Sequence, residues 1–361
     1  MAAKKITLLI ALSFIILEVN AQCCGAGNPI YVTNVDQSIS KNNIQFSLDY
    51  RHSESDRYYE GSIESDFNFF GMVDKTSYDF MNIGIGYGVT RKITLQTQLG
   101  YYIRKSEDFD NPMLPDVSIS GLGDMSVSLS YCVLRDIKKG IEFTPFASIK
   151  IPVGKFDSEN AGVKLPLSMQ TSSGSFKYSL GFSFYSNLSE KFYLTLYGLY
   201  EYSQRIVSTN FDYQYGGLFY SNVAAYYKIH KIVSIGMQMG YEFQGRAKSE
   251  NCVLIGTSYH MIKAIPQVLC RLSSKWQLML IAEMPLWRYV EGIQMSNKFV
   301  IQSRTTGAAL INIEAGSSNF TDIMGFTCTE WNCASQTLSA SGTDALLTSL
   351  GIGTGNFKIK S

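Results

Sequence analysis

Charge, proline and histidine are all scarce in this chain. Of 361 residues 17% are charged, eight are proline and three are histidine. The formal charge is +1 at pH 7, so no broad basic field points to nucleic acid as a partner. No HExxH, P-loop or nucleophile-elbow motif occurs, and the three histidines stand far apart. The chain therefore reads as a non-enzyme without catalytic residues or a cofactor. Long apolar runs are missing as well, apart from one at the N-terminus. A helix crossing a bilayer needs roughly twenty apolar residues, so no later segment reads as a spanning helix.

The N-terminal run has a purpose of its own. Lys4 and Lys5 precede the apolar stretch from Ile6 to Leu17, and Val19-Asn20-Ala21 supplies small residues at −3 and −1. That pattern predicts a secretory signal peptide over residues 1–21, cut between Ala21 and Gln22. The apolar core is too short for a membrane anchor. A lipoprotein start at Cys23 is the alternative, although Asn20 and Gln22 sit where a lipobox prefers small residues.

Aromatic residues are abundant. Tyr occurs 23 times, Phe 21 times and Gly 30 times. Tyr and Phe favour strands and also collect at membrane interfaces. Period-two alternation runs through the chain. Ile44, Phe46, Leu48 and Tyr50 alternate with Gln45, Ser47 and Asp49. Ile93, Leu95, Thr97, Leu99, Tyr101 and Ile103 alternate with Thr94, Gln96, Gln98 and Gly100. The same holds for Met125 to Val133 and for Val233 to Gln244. Such lengths exceed an ordinary soluble strand and suit a tilted membrane strand of about nine to eleven residues.

Loop lengths give a second signal. Strands are predicted near 43–51, 78–90, 92–104, 124–135, 140–151, 174–187, 190–203, 215–229, 232–245, 252–270, 275–287 and 295–313. Their connections alternate long and short. Short periplasmic turns and longer extracellular loops produce this rhythm, and barrel closure removes the sheet edges that lipid cannot satisfy. A soluble β-sandwich also alternates, but its polar faces would carry more charge than these Ser-, Thr-, Gln- and Gly-rich ones. The expected fold is all-β: a transmembrane antiparallel β-barrel of about twelve strands in a Gram-negative outer membrane. Residues 22–42 then form a periplasmic arm, 43–313 the barrel and 314–361 a periplasmic extension.

Several segments in this order have a family look. Gly121-Leu122-Gly123-Asp124 leads into the strand Met125 to Tyr131, and the next strand ends in Ile151-Pro152-Val153-Gly154-Lys155. Ser173 to Gly181, Leu188-Ser189-Glu190-Lys191 and Phe211 to Gly216 follow. This succession resembles the outer-membrane barrels of the MetA-pathway-of-phenol-degradation family, often labelled transporters and thought to be distantly similar to the fatty-acid porin. The resemblance spans roughly residues 40–313. Two features depart from it: Cys23-Cys24 directly after the signal, and a chain that runs past the last strand to Ser361 without the family's terminal aromatic.

Candidate site residues fall into six groups. Cys23 and Cys24 form a vicinal thiol pair suited to Cu(I) or Zn. Cys328 and Cys333 are spaced for a local disulfide in an oxidising periplasm, or for a soft metal. Cys132, Cys252 and Cys270 lie in predicted strands, as small fillers. Phe67, Phe69 and Phe70 put an apolar cluster in a loop assigned to the outside, where it either meets a ligand or extends the aromatic girdle. Asp124, Glu142, Glu242, Lys177 and Arg304 fall on or near strands and line a lumen, or pair with one another across a plugged interior. His52, His230 and His260 are expected to be solvated or lumen-lining. The function expected is a channel or transporter for small hydrophobic compounds, with outer-membrane lipid and apolar solutes as partners. The rival is a non-conducting scaffold whose periplasmic end binds a protein or copper.

Overall fold

The computed structural model describes residues 38–66, 72–109, 115–160, 162–208 and 211–310, together with the backbone of two short strands, Trp331–Asn332 and Thr337–Leu338. Twelve long strands form a closed antiparallel barrel. They are β1 Asn43–Ser55, β2 Lys75–Gly88, β3 Ile93–Asp108, β4 Val117–Tyr131, β5 Ile141–Ile151 and β6 Lys177–Asn187, then β7 Phe192–Ser203, β8 Leu218–Lys228, β9 Val233–Gln244, β10 Tyr259–Arg271, β11 Trp276–Ser296 and β12 Phe299–Leu310. Each strand pairs with its neighbours in sequence, and β12 returns to β1 with Asp49 opposite Arg304. Closure leaves no long edge in the membrane, which is the condition for strands to lie in lipid. Among the described residues no helix is long and apolar enough to cross a membrane.

The barrel is apolar outside and polar inside, the inverse of a soluble core. Leu48, Leu129, Leu180, Ile235 and Leu280 are exposed on the outer wall, while Asp49, Gln302, Asp124 and Arg304 are buried within. The alternation seen in the sequence is therefore the lipid-facing and lumen-facing pattern of a membrane strand. Tyr131, Tyr227 and Trp276 ring the short-turn end, and Tyr178, Tyr200, Tyr202, Trp287 and Tyr289 ring the other, where amphipathic rings sit well at a membrane interface.

Three strand boundaries differ from expectation by seven residues or more. The eleventh strand does not stop at 287 but continues to Ser296, and Asn297 and Lys298 make the turn into β12. A register shift at Ile262/Lys263, opposite Pro285 and Trp287, breaks the period-two pattern there. A bulge puts two residues against one, so alternation fails locally even though pairing goes on. The tenth strand starts at Tyr259, because Lys248–Ser249 and Cys252–Val253 form a separate small hairpin. The fourth begins at Val117, seven residues earlier than the alternation suggested.

The long connections are themselves structured. Arg57–Gly61 pairs with Ile63–Ser65 and with the far end of β11. Ile206–Ser208 pairs with Phe211–Tyr213, and an isolated bridge from Gln214 to Lys248 ties that hairpin to the next. Tyr213, Tyr215 and Ala247 bury one another beneath them, against Leu167, Ile206 and Leu254.

Candidate functional site

The lumen holds a belt of buried charge. Arg51 on β1 donates from Nη1 to Glu283 Oε1 on β11 at 2.7 Å, and from Nη2 to Oε2 at 3.2 Å. Lys263 on β10 reaches Glu283 at 3.7 Å and Glu242 on β9 at 2.5 Å. The Tyr259 hydroxyl donates to Glu242 at 2.5 Å. Next to this chain Arg304 bonds Asp49, which also accepts from Asn82 at 3.3 Å. Across the barrel Glu201 binds Lys150 at 2.8 Å and Lys177 at 3.7 Å. A lone ion in such surroundings would lose its hydration at a cost of several kcal/mol, so each charge is met by an opposite one or by polar donors.

One of the long connections folds into the barrel. Residues 169–173 are almost wholly inaccessible, with Gln170, Ser172 and Ser173 at 0% exposure. Asp124 on β4 holds them, accepting from Ser172 Oγ at 2.6 Å, Ser173 Oγ at 2.7 Å and the Ser173 amide at 3.1 Å. Lys105 on β3 donates to the Gln170 carbonyl at 3.0 Å, and the Tyr215 hydroxyl to the Ser173 carbonyl at 3.0 Å. Between this loop and the wall lies a cavity of about 40 Å³, lined by Ser53, Lys105, Glu107, Ser168 and Met295 among others. It has room for an ordered water or so, not for a solute.

The wall from β5 to β8 is aromatic. Tyr193 and Tyr226 stack face to face at 4.6 Å and 8°, with Tyr185 tilted against Tyr193 at 5.6 Å. A turn further along, Phe146 stacks on Tyr197 at 5.5 Å, and Tyr197 meets Tyr220 at 6.2 Å. Gly236 makes the first stack feasible, since a Cβ there would lie 2.4 Å from Tyr226 Cδ1. A relay of hydrogen bonds backs the rings: Tyr226 to Gln267 at 2.8 Å, Gln267 to Gln238 at 2.9 Å, Gln238 to Tyr220 at 3.2 Å. The buried phenols Tyr220 and Tyr226 thus keep a partner for each hydroxyl, while the half-buried Phe146, Tyr185, Tyr193 and Tyr197 leave some ring surface toward the lumen.

At the short-turn end the chain ahead of β1 crosses the opening. Ser38 donates its amide and its hydroxyl to Glu142 Oε1, both at 2.7 Å, and Arg135 donates to Glu142 Oε2 at 2.8 Å. The Ile39 amide donates to Thr94 Oγ1 at 3.1 Å. The Ile39 side chain occupies the space that Gly86 leaves, where a Cβ would stand 2.4 Å from Ile39 Cδ1.

All five charges expected near the lumen do face inward and are buried, and each has a partner: Arg135 for Glu142, Lys263 for Glu242, Glu201 for Lys177, Asp49 for Arg304 and the two serines for Asp124. Two histidines require correction. His52 and His260 lie on the outer wall rather than in the lumen. His52 Nδ1 is 2.8 Å from Asp79 Oδ1, and His260 stacks on Phe243 at 4.5 Å beside Tyr241 and Tyr289. Each follows the outward parity of its strand, which Tyr50 and Ile262 also share. His230 is exposed in its turn. Cys132 is buried, Cys252 is exposed in the small hairpin rather than in a barrel strand, and Cys270 is half-buried; all three are free thiols. Phe67, Phe69, Phe70, Cys23, Cys24, Cys328 and Cys333 lie outside the described residues.

The inner aromatic wall is not legible in the sequence. Leu194, Leu196 and Phe219 flank Tyr193, Tyr197 and Tyr220, so both faces of these strands read as apolar. The only local signal is the glycine opposite a tyrosine.

The family model described as "Putative MetA-pathway of phenol degradation" matches residues 51–301, and the chain belongs to that family. Among curated protein sequences none matches. Of solved structures, an outer membrane channel from Pseudomonas putida F1 superposes with a TM-score of 0.63 at 17% identity, over 77% of this chain and all of that one. The β domain of the Bordetella autotransporter BrkA gives 0.45 at 9%, over 74% of this chain and all of that one. A Pseudomonas aeruginosa FadL homologue gives 0.35 at 9%, over 80% and 97%. The first of these likenesses establishes a shared fold, that of a porin-like barrel of the outer-membrane type.

Proposed function

We propose that this family member is an outer-membrane channel for small hydrophobic compounds, aromatic ones above all. Its short-turn end then faces the periplasm and its long loops the outside. The observation that carries this reading is the pair of aromatic clusters inside the barrel, Tyr185, Tyr193 and Tyr226 nearer the short-turn end and Phe146, Tyr197 and Tyr220 beyond them. Half-buried ring faces suit a flat apolar solute, and sites for apolar ligands are lined by aromatics with a few fixed polar groups. The family's description, which names phenol degradation, points the same way. The polar loop under Asp124 and the crossing at Ser38 make the resting pore narrow at both ends, so passage requires one of them to move.

Reconstituted into liposomes, the protein should admit benzyl alcohol or phenol faster than a sugar of similar size. Flux no greater than in protein-free vesicles would reject the channel. The scaffold reading draws on the same two closures. It predicts no conductance under any voltage or solute, and retention of a periplasmic protein on the short-turn face.

A further inference from the structure

Two cations stand at the short-turn mouth, directly below the tyrosine stack. Lys228 ends β8, two residues beyond the buried Tyr226, and shares its inward parity. Its Nζ lies 5.9 Å from the centroid of the Tyr193 ring. Arg271 ends β10 at the same end, with the inward parity of Lys263, Ile265 and Gln267, and is exposed; its amide donates to the Ile232 carbonyl at 2.7 Å, in the turn that follows Lys228. Neither has an acidic side chain within ion-pair distance among the described residues. The charges deeper in the lumen behave differently, since each of those described above has an opposite charge or a hydrogen-bonding group as its partner. The adjoining turns deepen the imbalance, carrying Lys191, Lys231 and Lys275 against the single carboxylate of Glu190.

Tyr185 and Tyr193 are half-buried at this level, whereas Tyr226 behind them is covered. The mouth therefore offers a half-exposed ring surface beside two cations that no carboxylate pairs among the described residues. An unbranched apolar solute would use the ring and waste the charge. A simple inorganic anion would use the charge and waste the ring. A planar ring bearing a carboxylate uses both, with stacking for the ring and charge-assisted hydrogen bonds for the carboxylate.

We propose that Tyr185, Tyr193, Lys228 and Arg271 form a subsite for small aromatic carboxylates at the short-turn mouth. The inference rests on the channel reading for the route by which such a solute arrives, but the binding itself can be tested without transport. The anionic group could equally come from a phospholipid headgroup of the surrounding leaflet, and the test separates the two sources.

The experiment uses the full chain in phosphatidylcholine nanodiscs, with benzoate and benzyl alcohol as paired probes in equilibrium dialysis. Benzoate should bind at least tenfold more tightly than benzyl alcohol. The Lys228→Gln, Arg271→Gln double variant should lose that preference while binding benzyl alcohol as before, and Tyr193→Ala should weaken both probes. Heat-dependent gel mobility checks that each variant is folded. Equal affinity of the wild type for both probes would overturn the subsite, as would an unchanged preference in the folded double variant. So would loss of benzoate binding when a third of the lipid is phosphatidylglycerol, which would assign the cations to headgroups. Benzoate binding with no flux of either probe above that of protein-free vesicles would remove the channel and keep the subsite. Flux of both without preference would do the reverse.

Discussion

Arg51 and Glu283 stand 232 residues apart in the chain, yet their side chains meet in a two-point ion pair inside the barrel at 2.7 and 3.2 Å. β12 lies between their strands, so the pair reaches past a whole strand and joins the barrel's first and eleventh members across the closing seam. Lys263 extends the contact to Glu242, making a chain of four charges from β1 to β9. Removing one partner of such a pair costs roughly 3–5 kcal/mol, because a buried charge loses its counter-ion, whereas replacing both by apolar groups of like volume can be nearly neutral. Glu283→Ala should therefore lower the unfolding free energy in urea by that amount, and Arg51→Met with Glu283→Leu should lower it far less. Equal losses in the two variants would show that the pair's geometry, not charge compensation, matters.

Asp124 is the carboxylate that holds Ser172 and Ser173 of the inward loop, with Glu107 accepting from Ser168 Oγ at 3.0 Å beside it. Asp124 accepts three bonds of 2.6–3.1 Å from Ser172 and Ser173. Asp124→Ala leaves buried donors without their acceptor, at about 1–3 kcal/mol for a buried unsatisfied group. The loop should then vacate the lumen part of the time. Single-channel recordings should show larger or more frequent openings than wild type, with Asp124→Asn intermediate. Wild-type traces from Asp124→Ala would mean the loop does not close the pore.

Fold and site were legible to different degrees, for physical reasons. Strands such as Ile93 to Ile103 announce themselves because one face meets lipid and the other polar groups, and the two chemistries differ at every step. Alternating loop lengths follow from chain return at each end of a barrel. The β10–β11 region is not legible in the alternation, because its bulge shifts the parity on which that pattern depends. Inward charge at Asp124 or Arg304 could be seen, since lipid excludes it from the other face. Which charge pairs with which could not be: Arg51 and Glu283 share no local pattern, and their contact exists only once the barrel closes. The tyrosine wall stayed hidden because aromatic residues are at home on both faces of a membrane strand.

Outside the membrane, Arg205 bonds Asp212 within the hairpin that spans 206–213 and also reaches Asn251 at 2.7 Å. The guanidinium holds the Asp212 carboxyl below its ordinary value of 3.8. A group whose folded pKa is depressed contributes stability that is fully present above the unfolded value and lost as pH falls through the folded one. Amide exchange in this hairpin should therefore be independent of this pair from pH 8 down to about 5, after correction for intrinsic rates. Protection should fall only below about pH 4. Asp212→Asn should abolish the acid step, and a step surviving in that variant would assign it to another carboxyl.

Orientation in the membrane gives the last prediction, and the protein carries its own reporter. Cys252 is exposed, in the Lys248–Ser249 and Cys252–Val253 hairpin at the long-loop end. Cys132 is buried at the opposite end and hydrogen-bonds the Leu134 carbonyl through its thiol at 3.6 Å. Barrels of this type keep short turns in the periplasm and long loops outside, so the two thiols should lie on opposite sides of the membrane. A membrane-impermeant maleimide added to intact cells should label the wild type, and Cys252→Ser should remove that signal. A cysteine introduced at Lys139, in the Cys252→Ser background, should react only after the outer membrane is permeabilised. Labelling of the Lys139 site on intact cells, with Cys252 silent, would invert the barrel and place the tyrosine and cation subsite at the outer mouth instead.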